Sequence, residues 1–180
     1  MAGYYPSSCD NSVPDHLCNR CGVVEHGRIL SAAFISNDFD ILDYSNPTEW
    51  IAGINAGKIK VIPDVRGEKP KGSPVLVDGY GRLKQRMIGY DFTASITDPS
   101  LIGNYDFYAS LVGSTNYRLA FCTDTQVYVT SEPVTIIPDF IVTVDLNSEV
   151  TWTVDFQWSS PKPIPFFNMP EGVFECFFPA

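Results

Sequence analysis

Residues 140–158, FIVTVDLNSEVTWTVDFQW, constrain this chain more than any other stretch. Val150, Trp152, Val154, Phe156 and Trp158 alternate with Thr151, Thr153, Asp155 and Gln157. In an extended segment, successive side chains point to opposite faces, so this run has one dry and one wet side. Phe140, Val142, Val144 and Leu146 repeat the alternation, opposite Thr143 and Asp145. Leu146-Asn147-Ser148-Glu149 between the two runs has turn chemistry. The pattern predicts a β-hairpin suited to a sandwich or barrel. It carries no reactive group, which points to a structural or binding role.

The rest of the chain supports that fold class. Arg28–Ser36 reads as a strand, and Phe39–Tyr44 as a second, short one. Asn46, Pro47 and Glu49 then match a helix start, with a capping asparagine, proline at the first position and an acid three residues on. Trp50, Ile51 and Ile54 are expected to share the apolar face of a short helix, about Pro47 to Ala56, stopped by Gly57. Lys58–Pro63 alternates as a strand. Asp64–Gly81, rich in Gly and Pro, is expected as a loop or long hairpin with a brief strand at Val75–Val77. Met87–Ile96 alternates again through Ile88, Tyr90, Phe92, Ala94 and Ile96.

A second helix is expected from Asp98 as cap and Pro99 at the first position, closing at Gly113. Strands follow at Tyr117–Cys122, Gln126–Val129 and Val134–Ile137. After the hairpin, Pro161, Pro163, Pro165 and Pro170 break the chain before a terminal strand or tail at Val173–Phe178. The architecture predicted is mainly β (β-rich α+β): an antiparallel β-sandwich or barrel with two short flanking helices and long loops or arms. Residues 1–27 form an extended arm, 28–160 the sandwich domain and 161–180 a Pro-rich tail.

Charge narrows the function. The net charge of −9 is uneven: residues 1–90 hold ten basic and ten acidic side chains, whereas residues 91–180 hold two basic and eleven acidic. That leaves no basic footprint for nucleic acid. Aromatic residues make up 13% of the chain and charged residues 18%, a balance that suits a β core or surface buried against partners. No apolar run approaches the roughly 18–20 residues of a membrane helix, and MAGYYPSSCDNSVPDH lacks the features of a signal peptide. Synthesis in a cytoplasm, without membrane contact, is expected.

Few residues suggest chemistry. Cys9, Cys18 and Cys21, with His16 and His26, make a metal-like cluster, and Cys18-Asn19-Arg20-Cys21 has the gap of a zinc knuckle. A second pair is missing, since Cys122 and Cys176 are isolated. Unligated thiols in a turn-rich arm are the other reading of Cys9, Cys18, Cys21 and His26. Five cysteines with no export signal argue against a disulfide scaffold. His16 and His26 are the chain's two histidines, and both lie in the arm, so histidine-assisted nucleophilic catalysis has little to build on. Asp38, Asp40, Asp43, Asp145 and Asp155 are expected on turns and outer strand faces. Gly79-Tyr80-Gly81 lacks the lysine spacing of a phosphate loop. Trp152 and Trp158 are expected in the core rather than on a sugar platform. No catalytic residue and no cofactor are expected.

Assembled, the pattern resembles virion structural proteins of tailed bacteriophages, in the tail-tube and neck-ring group. The short capped helix Asn46–Gly57 leads into Lys58–Pro63, a Gly/Pro-rich basic loop follows at Arg66–Gly81, and an acidic β-rich half ends in VTWTVDFQW. The resemblance spans roughly Arg28–Trp158, and the cysteine-bearing arm lies outside it. It implies a non-enzymatic β-sandwich subunit that self-assembles into homo-oligomeric rings, meets other virion proteins, and lines a channel through which DNA passes without specific binding. Localisation in the virion follows. The alternative is a β-sandwich binding module, such as a head-decoration or fibre protein that binds carbohydrate or a surface partner.

Overall fold

The computed structural model describes residues 28–68, 72–81, 84–99, 103–141 and 150–174. In chain order these form β1 (Arg28–Ile29), β2 (Ser31–Ser36), α1 (Pro47–Asn55), β3 (Ile59–Ile62), β4 (Arg66–Glu68), β5 (Ser73–Asp78), β6 (Gln85–Asp98), α2 (Tyr105–Leu111), β7 (Tyr117–Cys122), β8 (Gln126–Val129), β9 (Thr135–Ile141), β10 (Thr151–Ser160) and β11 (Phe166–Asn168). The fold is β-rich, with antiparallel strands in two sheets. One sheet runs β1-β4-β6-β10-β9, with β5 also paired along β6; the other runs β11-β8-β7-β2-β3.

The alternation read at 150–158 is the inner face of β10. Trp152, Val154, Phe156 and Trp158 are buried, while Asp155 and Gln157 are exposed. β10 pairs with β9 and with β6, in a register running from Trp152↔Asp98 to Ser160↔Tyr90. Opposite them, Phe34 of β2 and Leu119 and Phe121 of β7 complete one core cluster with Phe92 and Ile96 of β6. Phe156 meets Phe34 and Phe121 at ring centroid distances of 5.8 and 6.2 Å. Burying side chains of this size stabilises by about 1.5–3 kcal/mol each.

A second apolar cluster covers the other face of the β2 sheet. Ala33 and Ile35 of β2, Ala120 and Cys122 of β7, and Val127 and Val129 of β8 pack under Trp50, Ile41, Val173 and Phe174. β2 and β7 are therefore buried on both faces, which explains the near-continuous apolar runs AAFI and LAFC. The proline-rich stretch after Ser160, taken from sequence as a tail, supplies β11, which pairs with β8. Phe174 then packs on Trp50 with ring centroids 5.0 Å apart. Residues 175–178 of the expected terminal strand lie outside the described residues.

Several expectations are corrected. Phe39–Tyr44 is not a strand. Its polar groups are met by side chains: Arg118 donates to the Phe39 carbonyl at 2.6 Å and to the Tyr44 hydroxyl at 3.1 Å. Glu49 does not close a capping box on Asn46. Its carboxylate instead accepts from the backbone N–H groups of Leu42 at 2.7 Å and Asp43 at 3.3 Å, tying that loop to α1. Asn46 caps as expected, accepting from the Thr48 N–H at 3.0 Å, and Gly57 ends the helix at φ 68°. The buried face of α1 is Trp50 and Gly53, leaving Ile51 and Ile54 exposed.

The second helix starts later than expected. Asp98 ends β6 rather than capping a helix, and α2 begins only at Tyr105. The Asp98 carboxylate is buried and accepts from the Asn104 amide at 2.9 Å and the Tyr108 hydroxyl at 2.7 Å, tethering α2 to the end of β6. Gly113 follows with φ 69°, as its position after the helix requires. The segments Val134–Ile137 and Phe140 onward are joined through Pro138 into the single strand β9. β9 is the sheet edge, where proline is tolerated. Phe140, expected on the dry face, packs edge-on to Trp152 at 5.3 Å but stays 45% exposed. Residues 142–149, which include the expected turn, lie outside the described residues.

Two stability measurements check this packing. A Cβ on Gly53 would sit 2.7 Å from Ile59 Cγ1 and 2.8 Å from Phe39 Cε1, so Gly53→Ala is expected to cost about 1–3 kcal/mol in urea unfolding. The second concerns alkaline pH. Burial, then the hydrogen bond and charge of Asp98, push the Tyr108 hydroxyl far above its ordinary value of 10.0. Burial likewise pushes the Cys122 thiol well above its ordinary 9.0, against a smaller opposing hydrogen bond from Ser31. Below those ordinary values both folded and unfolded chains hold the protons. Above them the unfolded chain releases them first, so stability is expected to fall as pH rises past about 9. Tyr108→Phe should flatten the part of that fall beginning near pH 10, measured by denaturation at stepped pH.

Candidate interaction surfaces

The described residues do not bring the sequence-level chemistry candidates together. Cys9, Cys18, Cys21, His16 and His26 lie outside the described residues. Among the described residues no group of three or more His, Cys, Asp or Glu is placed to hold a metal ion. Asp38, Asp40 and Asp43 have separate partners. Lys58 and Ser36 bond Asp38, and the Lys58 hydrogen bond above all holds its carboxyl below the usual value. Asp40 faces Arg118 at 3.5 Å, and Asp43 accepts from the Ser45 N–H at 2.9 Å. Cys122 is a buried thiol within a core cluster. Trp50, Trp152 and Trp158 are all buried, so none offers a stacking platform.

What remains are surfaces. The outer face of the β6–β10–β9 sheet is polar. Ser159 lies opposite Asp91, Gln157 opposite Thr93 and Thr135, and Asp155 opposite Ser95 and Ile137. Thr153 lies between Thr97 and Asp139. The Ser159 hydroxyl donates to Asp91 at 2.6 Å. Small hydroxyl side chains and three carboxylates dominate this face where β6, β10 and β9 lie side by side; its basic members include Arg86, beyond the bulge of β6, and Arg66 of β4, opposite Thr97.

The β9 edge of that sheet is closed to further pairing. The Ile136 N–H points away from β10 and donates to the Ser114 carbonyl at 3.1 Å. Alternation sends residues 138 and 140 the same way. Pro138 has no N–H, and the Phe140 N–H donates to its neighbour Asp139 at 2.8 Å. Each outward donor of β9 is thus absent or satisfied, a recognised protection of edge strands.

The second surface is a two-stranded ribbon. The sequence region expected as a loop or long hairpin contains β5, longer than the brief strand expected at Val75–Val77, and β5 pairs with residues 85–91 of β6. The register shifts between Val75 and Leu76, so that Ile88 is the extra residue of a bulge. Leu76 and Met87 lie directly opposite one another and are each 50% exposed; Ile88 is 52% exposed and Tyr80, beyond β5, 85%. Ile88, expected inward from the alternation of Met87–Ile96, is moved by this bulge. Lys84, Arg86 and Asp78 are exposed on the same ribbon. The signal was present in sequence as VLV and MI flanked by charge. Periodicity alone does not tell a strand that packs on a sheet from one that leaves it.

No known protein family matches the sequence, and no curated protein does. Among solved structures, the fold is similar to a chain from the tail of an empty GTA particle computed with helical refinement under C6 symmetry. The alignment covers 77% of this chain and 95% of that chain, at 13% identity and a TM-score of 0.40.

If the ribbon residues contribute little to folding, their replacement should barely move stability. Leu76→Ser and Met87→Ser are each expected to change unfolding free energy by no more than about 0.5 kcal/mol, as for exposed sites. Phe156→Ala, in the core, should cost about 3–5 kcal/mol. Urea titrations of the three variants make the comparison. A core-sized loss at Leu76 or Met87 would show that the ribbon is part of the folding core.

Proposed function

We propose that this chain is a non-enzymatic structural subunit that self-assembles into homo-oligomeric rings of a phage-like tail tube or portal-proximal neck, forming a channel for DNA. The observation that carries this reading is the ribbon. Leu76, Met87 and Ile88 are half-exposed apolar side chains grouped on one projecting element, where a lone subunit gains nothing from them. A second copy that covers them recovers their burial. The distribution of charge agrees, because the basic side chains concentrate between Lys58 and Arg86, while residues 91–180 hold two basic against eleven acidic side chains.

The polar outer face of β6, β10 and β9 suits a channel lining in this reading. Asp91, Asp155 and Asp139 repel phosphates, and Ser and Thr hydroxyls give a wetted surface whose basic groups, Arg66 and Arg86 among them, stand at its margin, away from β10 and β9. Residence in the virion, contact with other virion proteins and passage of DNA without specific binding belong to the same proposal. The alternative of a carbohydrate-binding module draws no support from the tryptophans, all three of which are buried.

Sedimentation velocity and negative-stain electron microscopy of the purified full-length chain test the reading. Concentration-dependent oligomers with rings or short tubes are expected. A chain that sediments as a monomer at every concentration tested, and forms no rings, overturns it.

A further inference from the structure

Hydrogen-bond direction separates the edges of the two sheets. The outward donors of β9 are absent or satisfied. β3 carries the exposed Lys60 within its four residues, a common guard on an edge strand, and β1 and β11 are only two and three residues long. β5 is different. The Gly79 N–H donates to the Lys84 carbonyl at 3.1 Å, and the register continues through Val77↔Arg86. Alternation turns the backbone groups of Val75 and Val77 toward β6, and those of Pro74, Leu76 and Asp78 away from it. No hydrogen bond from the Leu76 or Asp78 N–H occurs among the described residues. The same strand carries the apolar row of the ribbon. Leu76 lies opposite Met87, each half-exposed, while Val75 and Val77 are half-buried on the other face. β5 thus joins unpaired ladder groups to exposed apolar side chains, the two things an added strand uses.

We infer that β5 pairs antiparallel with the β5 of a second copy about a two-fold axis at Leu76, a contact that rests on the self-assembly proposed above. The register chooses this occupant, because Ser73–Asp78 is complementary to itself. With Leu76 opposite the second copy's Leu76, each N–H meets the other's carbonyl. Asp78 then lies opposite the second copy's Pro74, and its N–H meets the proline carbonyl. Val75 lies opposite the second copy's Val77 on one face. On the other, Met87 and Leu76 continue into the second copy's Leu76 and Met87 as one apolar row. No like charges meet. The two Asp78 carboxylates sit at opposite ends of the contact, and Arg86 lies on the Val77 face, away from the row. The contact is isologous and joins copies in pairs, so ring closure uses another surface.

Charge placed on the two-fold axis tests the pairing in the full-length chain. Leu76 is half-exposed, so Leu76→Asp and Leu76→Lys should each keep the native near-ultraviolet circular dichroism. Either variant alone sets like charges directly opposite one another. Each is expected to lower the association constant at least tenfold by sedimentation velocity. Mixed in equal amounts, the two set opposite charges across the axis and should associate again as mixed pairs. Asp78→Pro removes an outward N–H but no ladder bond to β6, and should weaken association more than Asp78→Ala does. If the native chain assembles and both charged variants assemble as it does, or if mixing restores nothing, the pairing is overturned while self-assembly stands. If the native chain never assembles, the functional reading falls with the pairing; a lowered urea midpoint for Leu76→Asp in that monomer would assign the β5 edge to a segment of the same chain.

Discussion

Phe156 is where the two sheets hold each other. Its ring lies between Phe34 of β2 and Phe121 of β7, and the neighbouring inward positions of β10 are Trp152, Val154 and Trp158. Phe92 stacks on Trp158 at 5.2 Å with the rings nearly parallel, extending the contact to β6. The larger of the two core clusters is arranged around burying this one face. The antiparallel ladder of β6, β10 and β9 fixes which residues point inward, and a one-residue slip would turn the aromatic set out to water. The same ladder forces the polar set to form a continuous outer face, so the carboxylates and hydroxyls outside are a direct consequence of the aromatics inside.

The length of β6 then creates the surfaces. Its C-terminal half packs in the core and pairs with β4 and β10; its N-terminal end outruns β10, whose last partner is Tyr90 at Ser160. Beyond that point β6 has only β5 paired beside it among the described residues. The bulge at Ile88 adds twist where the strand leaves the sandwich. A strand too long for its core presents half-exposed apolar side chains at one pole, while the aromatics that close the core remain partly visible at the other.

Much of this was legible in the sequence, and the limits have physical causes. The β10 face was readable because strand alternation is a local property of the chain, and α1 because its cap, first-turn proline and terminal glycine act within a few residues. The role of Glu49 was not legible, since a carboxylate three residues past a cap can reach either the cap or the preceding loop, and only packing chooses the Leu42 and Asp43 N–H groups. The same holds for Asp98, which followed by proline looks like a helix cap but is held in the interior by Tyr108 and Asn104. Arg118 keeps residues 39–44 out of a strand from a position more than seventy residues away. Of the interaction surfaces, the composition of the ribbon was visible and its exposure was not.

By itself, the sequence determined the fold class, the identity of the central hairpin strand and its aromatic face, the first helix, and the segregation of charge along the chain. These follow from periodicity and short-range stereochemistry, which need no knowledge of distant residues. The tertiary structure alone decided that β5 and residues 85–91 of β6 form a ribbon with half-exposed apolar side chains, that β9 runs through Pro138 as a closed edge, and that the proline-rich stretch returns as β11. Exposure is a property of what lies across from a residue, and the chain sets that only when its sheets close on one another.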